Sequence, residues 1–261
     1  MVNQDPFTQK KKHILDSIAS TNEGTLDSSP KGSIDKACIP IIDLINSFDN
    51  MVTTSSCSGR VSVFVEGRKE TDNDKIKIGA KGNEGKWLFV THEPENLNNW
   101  FKKFQLKDQE KLGLSDVAAD TRYVLYKFEP LILHVKCKDL DTAKQLYAIS
   151  MACGFRESGI GSNNNVAIRC SIRLDAPIAI YNGDSDAFYK LVSTEYLKLL
   201  CKISEDRFTE NFHKLSILYD SISKATFAAQ PEHKETKEER RERKMKEGLL
   251  KQQLLKSESS S

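Results

Sequence analysis

The chain lacks the long hydrophobic runs of a membrane protein and the strong net charge of a typical nucleic-acid-binding domain. None of its apolar stretches approaches the roughly 18 residues of a membrane-spanning helix, and its first ten residues contain no apolar signal core. Its 39 basic and 37 acidic residues leave a net charge of +2, so a nucleic-acid partner would need a local basic patch. These features predict a protein of the cytoplasm or nucleus that does not bind membranes.

Zinc sites, disulfide frameworks and nucleotide-binding loops are missing as well. The six cysteines are Cys38, Cys57, Cys137, Cys153, Cys170 and Cys201. No two of them lie within four residues of each other, and no Cys/His cluster has the spacing of a zinc site. We therefore predict reduced thiols and no metal. The glycines Gly79, Gly82 and Gly85 do not connect a strand to a helix, so no dinucleotide-binding fingerprint is present.

Hydrophobic periodicity predicts an α+β fold. Predicted helices cover residues 7–18, 34–48, 97–104, 142–153 and 185–229, and predicted strands cover 61–65, 87–90, 123–128, 131–137, 166–174 and 178–180. Pro40 places the true start of the second helix near itself. Asp139 or Asp141 is the expected cap of the helix at 142–153, which Gly154 should end. Because strands and helices do not alternate steadily, the sheet should be mixed or antiparallel with flanking helices and a helical final third.

Composition divides the chain into one domain and a tail. Residues 1–229 are predicted to form a single α+β domain, with a polar loop insert at 20–33. Residues 230–261 are nearly all charged or polar and have too few apolar groups to pack alone. Two interpretations of this tail stay open: a solvated helical or disordered segment, or a basic arm that contacts RNA phosphates.

One polar stretch is unusual for a connection between a helix and a strand. We call Thr54-Ser55-Ser56-Cys57-Ser58-Gly59-Arg60 the hydroxyl motif, and we predict that it forms a ligand-binding loop. Arginine offers a planar fork of donors that matches carboxylate or phosphate, and serine hydroxyls both donate and accept. Its chemistry alone does not choose between a phosphate, a carboxylate and a thiol mechanism based on Cys57.

Other polar side chains stand in or beside predicted strands. They are His92, His134, Arg156, Ser158, Arg169 and Arg173. Each has a plain alternative: His134 as a satisfied core histidine, residues 156–165 as an ordinary turn, and Arg169 with Arg173 as a solvated strand face.

Several of these segments occur in the order and with the spacing of a known family. They are Asp43-Leu44-Ile45-Asn46, the hydroxyl motif, and residues 87–92, 131–135 and 154–160. Together they resemble the signature of the tRNA wybutosine-synthesizing protein 3 family. The resemblance covers roughly residues 7–225 and leaves out the insert and the tail.

The resemblance implies an S-adenosyl-L-methionine-dependent methyltransferase without the usual Rossmann-like fold, in agreement with the missing glycine-rich loop. The implied substrate is tRNA for phenylalanine. The implied reaction methylates N-4 of the demethylated tricyclic guanosine derivative just 3′ of the anticodon. Contact with other enzymes of the wybutosine pathway is a further expectation.

Roles for the candidate residues follow from the chemistry of that reaction. The cofactor's carboxylate is expected to bind Ser55, Ser56, Ser58, Gly59 and Arg60. His134 or His92 is a candidate general base for the accepting nitrogen. RNA binding is expected at Arg156, Ser158, Gly159, Arg169 and Arg173. The opposite allocation, in which the hydroxyl motif faces an RNA phosphate, stays open.

Three rival classes of function also stay open. An RNA-binding protein without catalysis would have a basic patch and no sulfonium cofactor. A cysteine-dependent enzyme would lose its activity when Cys57 is replaced by serine. A scaffold for the other pathway enzymes would use the helical final third and the charged tail.

Overall fold

The computed structural model describes residues 5–22, 33–69, 77–79, 83–107 and 120–227, together with residues 241 and 245. Contacts divide the chain into a large unit, Met1–Phe227, and a short one, Ala228–Ser261. Most of the predicted insert and nearly all of the predicted tail lie outside the described residues, so both stay predictions. No helix in the described ranges has the length and apolar character needed to cross a membrane.

Four α-helices and ten strands make up the described fold. The helices are α1 (Pro6–Asn22), α2 (Ile39–Ser47), α3 (Leu140–Ala152) and α4 (Thr194–Lys224). The strands are β1 (Met51–Val65), β2 (Gly67–Lys69), β3 (Lys77–Gly79), β4 (Lys86–Thr91), β5 (Leu106–Lys107), β6 (Arg122–Cys137), β7 (Gly159–Ile160), β8 (Asn165–Arg169), β9 (Leu174–Asn182) and β10 (Ala187–Lys190).

Two long antiparallel strands, β1 and β6, form the centre of an eight-stranded sheet. The main strand order is β4-β1-β6-β9-β10-β5, and β8, with β7 beside it, also pairs with β6. The first half of β6 pairs with β9 and the second half with β8. Nearly all pairs are antiparallel, and the pair of β5 with β10 is parallel. The α+β prediction with a mixed sheet, and without a doubly wound arrangement, is confirmed.

Pro130 lies where β6 changes partners. The paired positions with β9 end at Phe128, and those with β8 begin at Ile132. Proline has no N–H to donate to a ladder, so it is tolerated at this gap between neighbours. Burial alternates along β6, but Pro130 and Leu131 are both buried. The strand therefore buries its even-numbered residues up to Pro130 and its odd-numbered residues from Leu131 onward.

The core has two parts, and α4 packs against both of them. One cluster contains Leu133 and Val135 of β6, the apolar face of α2, and Leu218 of α4. The other contains Tyr126 and Phe128 of β6, three valines of β1, and Phe208 of α4. The residues of β6 that alternate with these core residues include Lys127, Glu129, His134 and Lys136, and we call the surface on which they lie the outer face.

Several predicted elements are confirmed at their sequence signals. The helix that begins near Pro40 is α2, with a short 3-10 turn (Lys36–Cys38) before it. The side chain of Asp139, rather than that of Asp141, accepts a hydrogen bond from the Thr142 N–H at the start of α3. Gly154 follows α3 with a φ of +87°, a backbone conformation that residues other than glycine rarely adopt.

Other predicted elements are wrong. The hydroxyl motif is the middle of β1 instead of a loop, and the predicted strands at 123–128 and 131–137 are one strand, β6. The strand predicted at 166–174 ends at Arg169, so Arg169 and Arg173 do not share a strand face. Residues 187–190 form β10 instead of helix, because β9 and β5 flank them. Residues 97–104 hold 3-10 turns, interrupted at Asn99 by a φ of +60°.

Candidate functional site

The hydroxyl motif spreads its side chains along β1 instead of gathering them in one loop. Ser55 stands opposite His134, Cys57 opposite Ile132, and Arg60 opposite Glu129. A bulge between Thr53 and Ser55 shifts the register at the first residue of the motif, Thr54. Strand geometry places Ser55 and Arg60 about 17 Å apart along β1. The motif therefore contributes to three neighbouring groups of residues, which we describe in turn.

The ladder between β1 and β6 is open at Ser58. Regular pairs flank this level, Cys57 with Ile132 and Gly59 with Pro130. Between them, the amide side chain of Asn211 accepts from the Leu131 N–H at 2.7 Å and donates to the Ser58 carbonyl at 2.7 Å. Asn211 thus takes the place of a direct bond between the two strands. It is completely buried, and it comes from the middle of α4.

Gly59 accommodates this insertion. Its φ is +105°, and a Cβ atom at this position would lie 3.1 Å from Asn211 Nδ2 and 3.3 Å from the Glu129 carbonyl oxygen. A larger residue would be strained by its backbone conformation and would press on the bridging amide. The glycine of the motif is therefore required by the packing of α4 against the open ladder.

A buried carboxylate binds the motif at this opening. Asp35 Oδ2 accepts from the Ser58 N–H at 2.8 Å and from Ser58 Oγ at 3.1 Å. His92, which follows β4, places its Nε2 3.8 Å from the same oxygen. The donor atoms of Asp35, Cys57 and His92 all lie within 4.8 Å of one another. We call Asp35, Cys57, Ser58 and His92 the aspartate cluster.

The thiol of Cys57 is held in its protonated form. Burial raises its pKa, and so does the nearby Asp35 carboxylate. The Gly59 backbone hydrogen bond and the charge of Arg60 lower the pKa, but burial is the largest effect. A raised pKa opposes the thiolate that a nucleophilic cysteine needs. Asp, Cys and His are also ligands of zinc, and the expected absence of a metal stays a prediction.

His134 forms the second group, at the other end of the motif. Its Nδ1 lies 2.7 Å from Ser55 Oγ, within hydrogen-bond distance. Burial, and to a smaller extent the charge of Arg169, lower the pKa of His134. The imidazole is therefore neutral at pH 7. It opens into a surface cleft of about 510 Å³, which is also lined by Thr54, Arg169 and the segment from Gly159 to Ser162.

Arg60 forms the third group with Glu129 and Trp87. Its Nε donates to Glu129 Oε2 at 2.7 Å, and its guanidinium carbon lies 5.3 Å from the centre of the Trp87 ring. Trp87 is 56% exposed at the edge of the sheet. The charge of Arg60 is thus partly compensated within the protein, while one face of an indole remains open to solvent.

The remaining predicted residues have different surroundings. Ser158 Oγ donates to the Phe155 carbonyl and accepts from the Arg169 N–H, so it supports the local backbone. Arg173 pairs with Glu157 at 3.1 Å. Arg156 is exposed, and Gly159 lines the cleft. The structure brings Arg169 and Gly159 to His134, and it places Ser58 and Arg60 in separate groups.

Sequence reasoning missed Asp35 and Asn211. Asp35 stands before a short 3-10 turn, where an aspartate usually reads as a helix cap. Asn211 reads as one more polar residue of an amphipathic helix, although it falls between Phe208 and Leu215 on the buried stripe. An amide on the apolar face of a helix is the one signal that points to its role.

Comparison with known proteins identifies the family of this chain. The model of the family described as methyltransferase TYW3 matches residues 9–224. The chain belongs to this family. It is 48% identical to tRNA wybutosine-synthesizing protein 3 of Saccharomyces cerevisiae, with 98% of each chain covered. It is 36% identical to the Schizosaccharomyces pombe protein of the same name, over 84% of this chain and 87% of that one.

A solved structure supports the architecture. The PH1069 protein from Pyrococcus horikoshii aligns with a TM-score of 0.58 and 28% identity, covering 83% of this chain and 95% of that one. The family is that of a methyltransferase of wybutosine biosynthesis, and its fold differs from the doubly wound methyltransferase fold.

Proposed function

We propose that this protein transfers the methyl group of S-adenosyl-L-methionine to N-4 of the demethylated tricyclic guanosine derivative in tRNA for phenylalanine. The observation that carries the proposal is the convergence of the hydroxyl motif with Asp35 and His92, in a chain that belongs to a methyltransferase family. The cluster is polar and largely buried, and its members Cys57 and His92 keep partial exposure.

The residues of the aspartate cluster fit the charges of this cofactor. Bound S-adenosylmethionine would supply an electrophilic methyl group on a sulfonium, and it also carries an ammonium and a carboxylate. The buried Asp35 carboxylate is a partner for a cationic group. Outside this cluster, either Arg60 or the hydroxyls of Ser55 and Ser56 would be the partner of the carboxylate, because the distance of about 17 Å along β1 keeps one carboxylate from reaching both. Ser58 already gives its N–H and hydroxyl to Asp35, so its part is to hold that carboxylate in place.

His134 is the better placed of the two candidate bases. When its Nδ1 carries the proton and donates to Ser55 Oγ, its Nε2 has a free lone pair for a proton from the accepting nitrogen. Because its pKa is lowered, the imidazole is in the neutral form that this role requires. His92 interacts with Asp35, which favours a role in orienting the aspartate cluster.

Positioning accounts for most of the catalysis in such a transfer. An in-line displacement at a methyl group needs alignment and exclusion of water more than covalent help from the protein. The target base must also be exposed from the RNA stack. The protein is proposed to act in the cytoplasm, as the composition suggests.

Calorimetry separates this function from RNA binding without catalysis. Titration of the protein with S-adenosylmethionine should show one binding site, and Asp35→Asn should weaken it. A protein that binds tRNA but shows no heat with the cofactor would favour the non-catalytic alternative. The control is Glu195→Gln, a change of an exposed acid on α4, which should bind the cofactor as the wild type does.

A further inference from the structure

The cleft beside His134 contains an arginine that no acidic group of the described chain neutralises. Arg169 forms one side of it, and none of the lining residues is acidic. Its Nε is buried and has no hydrogen-bond partner, and no carboxylate in the described ranges pairs with it. Buried polar atoms without partners are rare in proteins. An anion that enters the cleft would compensate the charge of this guanidinium.

A second cation lies on β6, paired with a residue that lines this cleft. Lys136 lies two residues beyond His134 on β6, opposite Asn165 of β8. Its Nζ donates to the Asn163 carbonyl. Burial and the charge of Lys10 on α1 lower its pKa. A bound anion would favour its charged form.

Three other cations of the protein pair with carboxylates. Arg60 pairs with Glu129 at 2.7 Å, Lys127 with Asp175 at 2.9 Å, and Arg173 with Glu157 at 3.1 Å. Their charges are compensated inside the protein. Arg169 differs from them, because none of the residues that line its cleft is acidic.

We infer that the cleft, through Arg169 and Lys136, binds phosphates of the substrate RNA backbone next to the nucleoside that faces His134. The inference rests on the proposed function for the identity of the RNA. A guanidinium fork binds phosphate oxygens in a bidentate manner. The hydroxyl of Ser162 and the open backbone around Gly159, where nothing lies within 4 Å of an added Cβ, leave room for the phosphate and its sugar.

The spacing of the two cations favours a chain of phosphates over the carboxylate of the cofactor. Arg169 stands opposite Ile132, four residues from Lys136 along β6, which corresponds to about 13 Å. One carboxylate needs only one of these cations. Two phosphates of one RNA strand would use both, and contacts of this kind position the nucleic acid without reading its sequence.

The test is the salt dependence of RNA binding by the full chain. An unmodified transcript of tRNA for phenylalanine is titrated between 50 and 200 mM salt, with the wild type, Arg169→Met and Lys136→Met. Each substitution should weaken binding about tenfold or more. Each should also reduce the slope of log K against log salt by about 0.7 to 0.9, the value for one phosphate contact. Arg169→Lys should keep the slope and lose part of the affinity.

Lys202→Met is the matched control. Lys202 lies on the exposed side of α4 and pairs with Asp206 at 3.1 Å, so its loss should leave the slope unchanged. Circular dichroism verifies that all variants are folded. Unchanged affinity and slope in both Arg169→Met and Lys136→Met would overturn the inference. So would a loss of S-adenosylmethionine binding in Arg169→Met with RNA binding intact, because the cleft would then hold the cofactor.

The site and the proposed function fail in different measurements. If the wild type transfers no methyl group to tRNA but the slopes differ as expected, the phosphate site stands and the proposed reaction falls. If the wild type methylates tRNA and the slopes are identical, the reaction stands and the phosphate site falls.

Discussion

Replacing Asn211 with leucine should destabilise the protein far more than a typical helix substitution. Leucine has a similar volume, so packing between α4 and the sheet is largely kept. The amide, however, satisfies two backbone groups, the Leu131 N–H and the Ser58 carbonyl, both at 2.7 Å. Each buried polar group left without a partner costs about 1–3 kcal/mol. The expected loss in the free energy of unfolding is therefore about 2–6 kcal/mol.

Urea denaturation measures this loss directly. The midpoint should fall while the m-value stays constant, because the surface exposed on unfolding does not change. Thr209→Ala, an exposed change two residues away on α4, should stay within about 0.5 kcal/mol of the wild type. If the two strands close and form a direct bond between Leu131 and Ser58, the loss should fall at the lower end of the range.

Hydrogen exchange at Leu131 supplies the second readout. The amide of Leu131 should exchange slowly in the wild type and faster in Asn211→Leu, because its acceptor is gone. A loss of stability below 0.5 kcal/mol, with the Leu131 amide still protected, would refute the idea that Asn211 bridges an open ladder.

Three further predictions concern the site. As the pH is lowered, kcat/KM should begin to fall only below pH 6.5, because activity needs neutral His134. Burial and the charge of Arg169 lower the pKa of this histidine. Arg169→Met should move this decrease to higher pH, but not fully to 6.5, since burial remains. A pH profile that does not change would exclude His134 as the base. Cys57→Ser should retain most methyl transfer, since burial keeps its thiol protonated, and complete loss of turnover in a folded variant would restore the thiol mechanism. Asp35→Asn should weaken S-adenosylmethionine binding about tenfold or more in calorimetry, and an unchanged Kd would place the cofactor elsewhere.

Local signals predicted those parts of the fold that local interactions determine. Asp139 caps α3 and Gly154 ends it, because a carboxylate that accepts from a first-turn N–H and a glycine with positive φ act over a few residues. Pro40 marked the start of α2 for the same reason, since its fixed φ suits a first turn.

The sequence of the hydroxyl motif predicts a loop, although its pairing with β6 makes it part of β1. Ser55, Ser56 and Cys57 show no alternation between apolar and polar residues, and Ser58 and Gly59 stand at the opening where Asn211 of α4 is inserted. Pairing with β6 over the whole length of β1 outweighs the weak strand preference of such residues. The periodicity around Phe188 predicts a helix, whereas pairing with β5 and β9 makes this segment a strand.

The site itself depends on contacts that sequence spacing does not reveal. Asp35 is 23 residues from Ser58, and Asn211 is 153 residues from it. His134, Ser55 and Arg169 meet only because β6 pairs with β1 on one side and with β8 on the other. The residue types suited to the chemistry were predictable from the sequence, whereas the division of the motif among three groups was not.

The most direct test of the proposed function is methyl transfer from labelled S-adenosylmethionine to tRNA isolated from cells that lack this protein. We expect one labelled methyl group on the tricyclic nucleoside 3′ of the anticodon in tRNA for phenylalanine, and no label on the same tRNA from cells that contain the protein. An absence of label with folded protein and intact precursor tRNA would contradict the proposal.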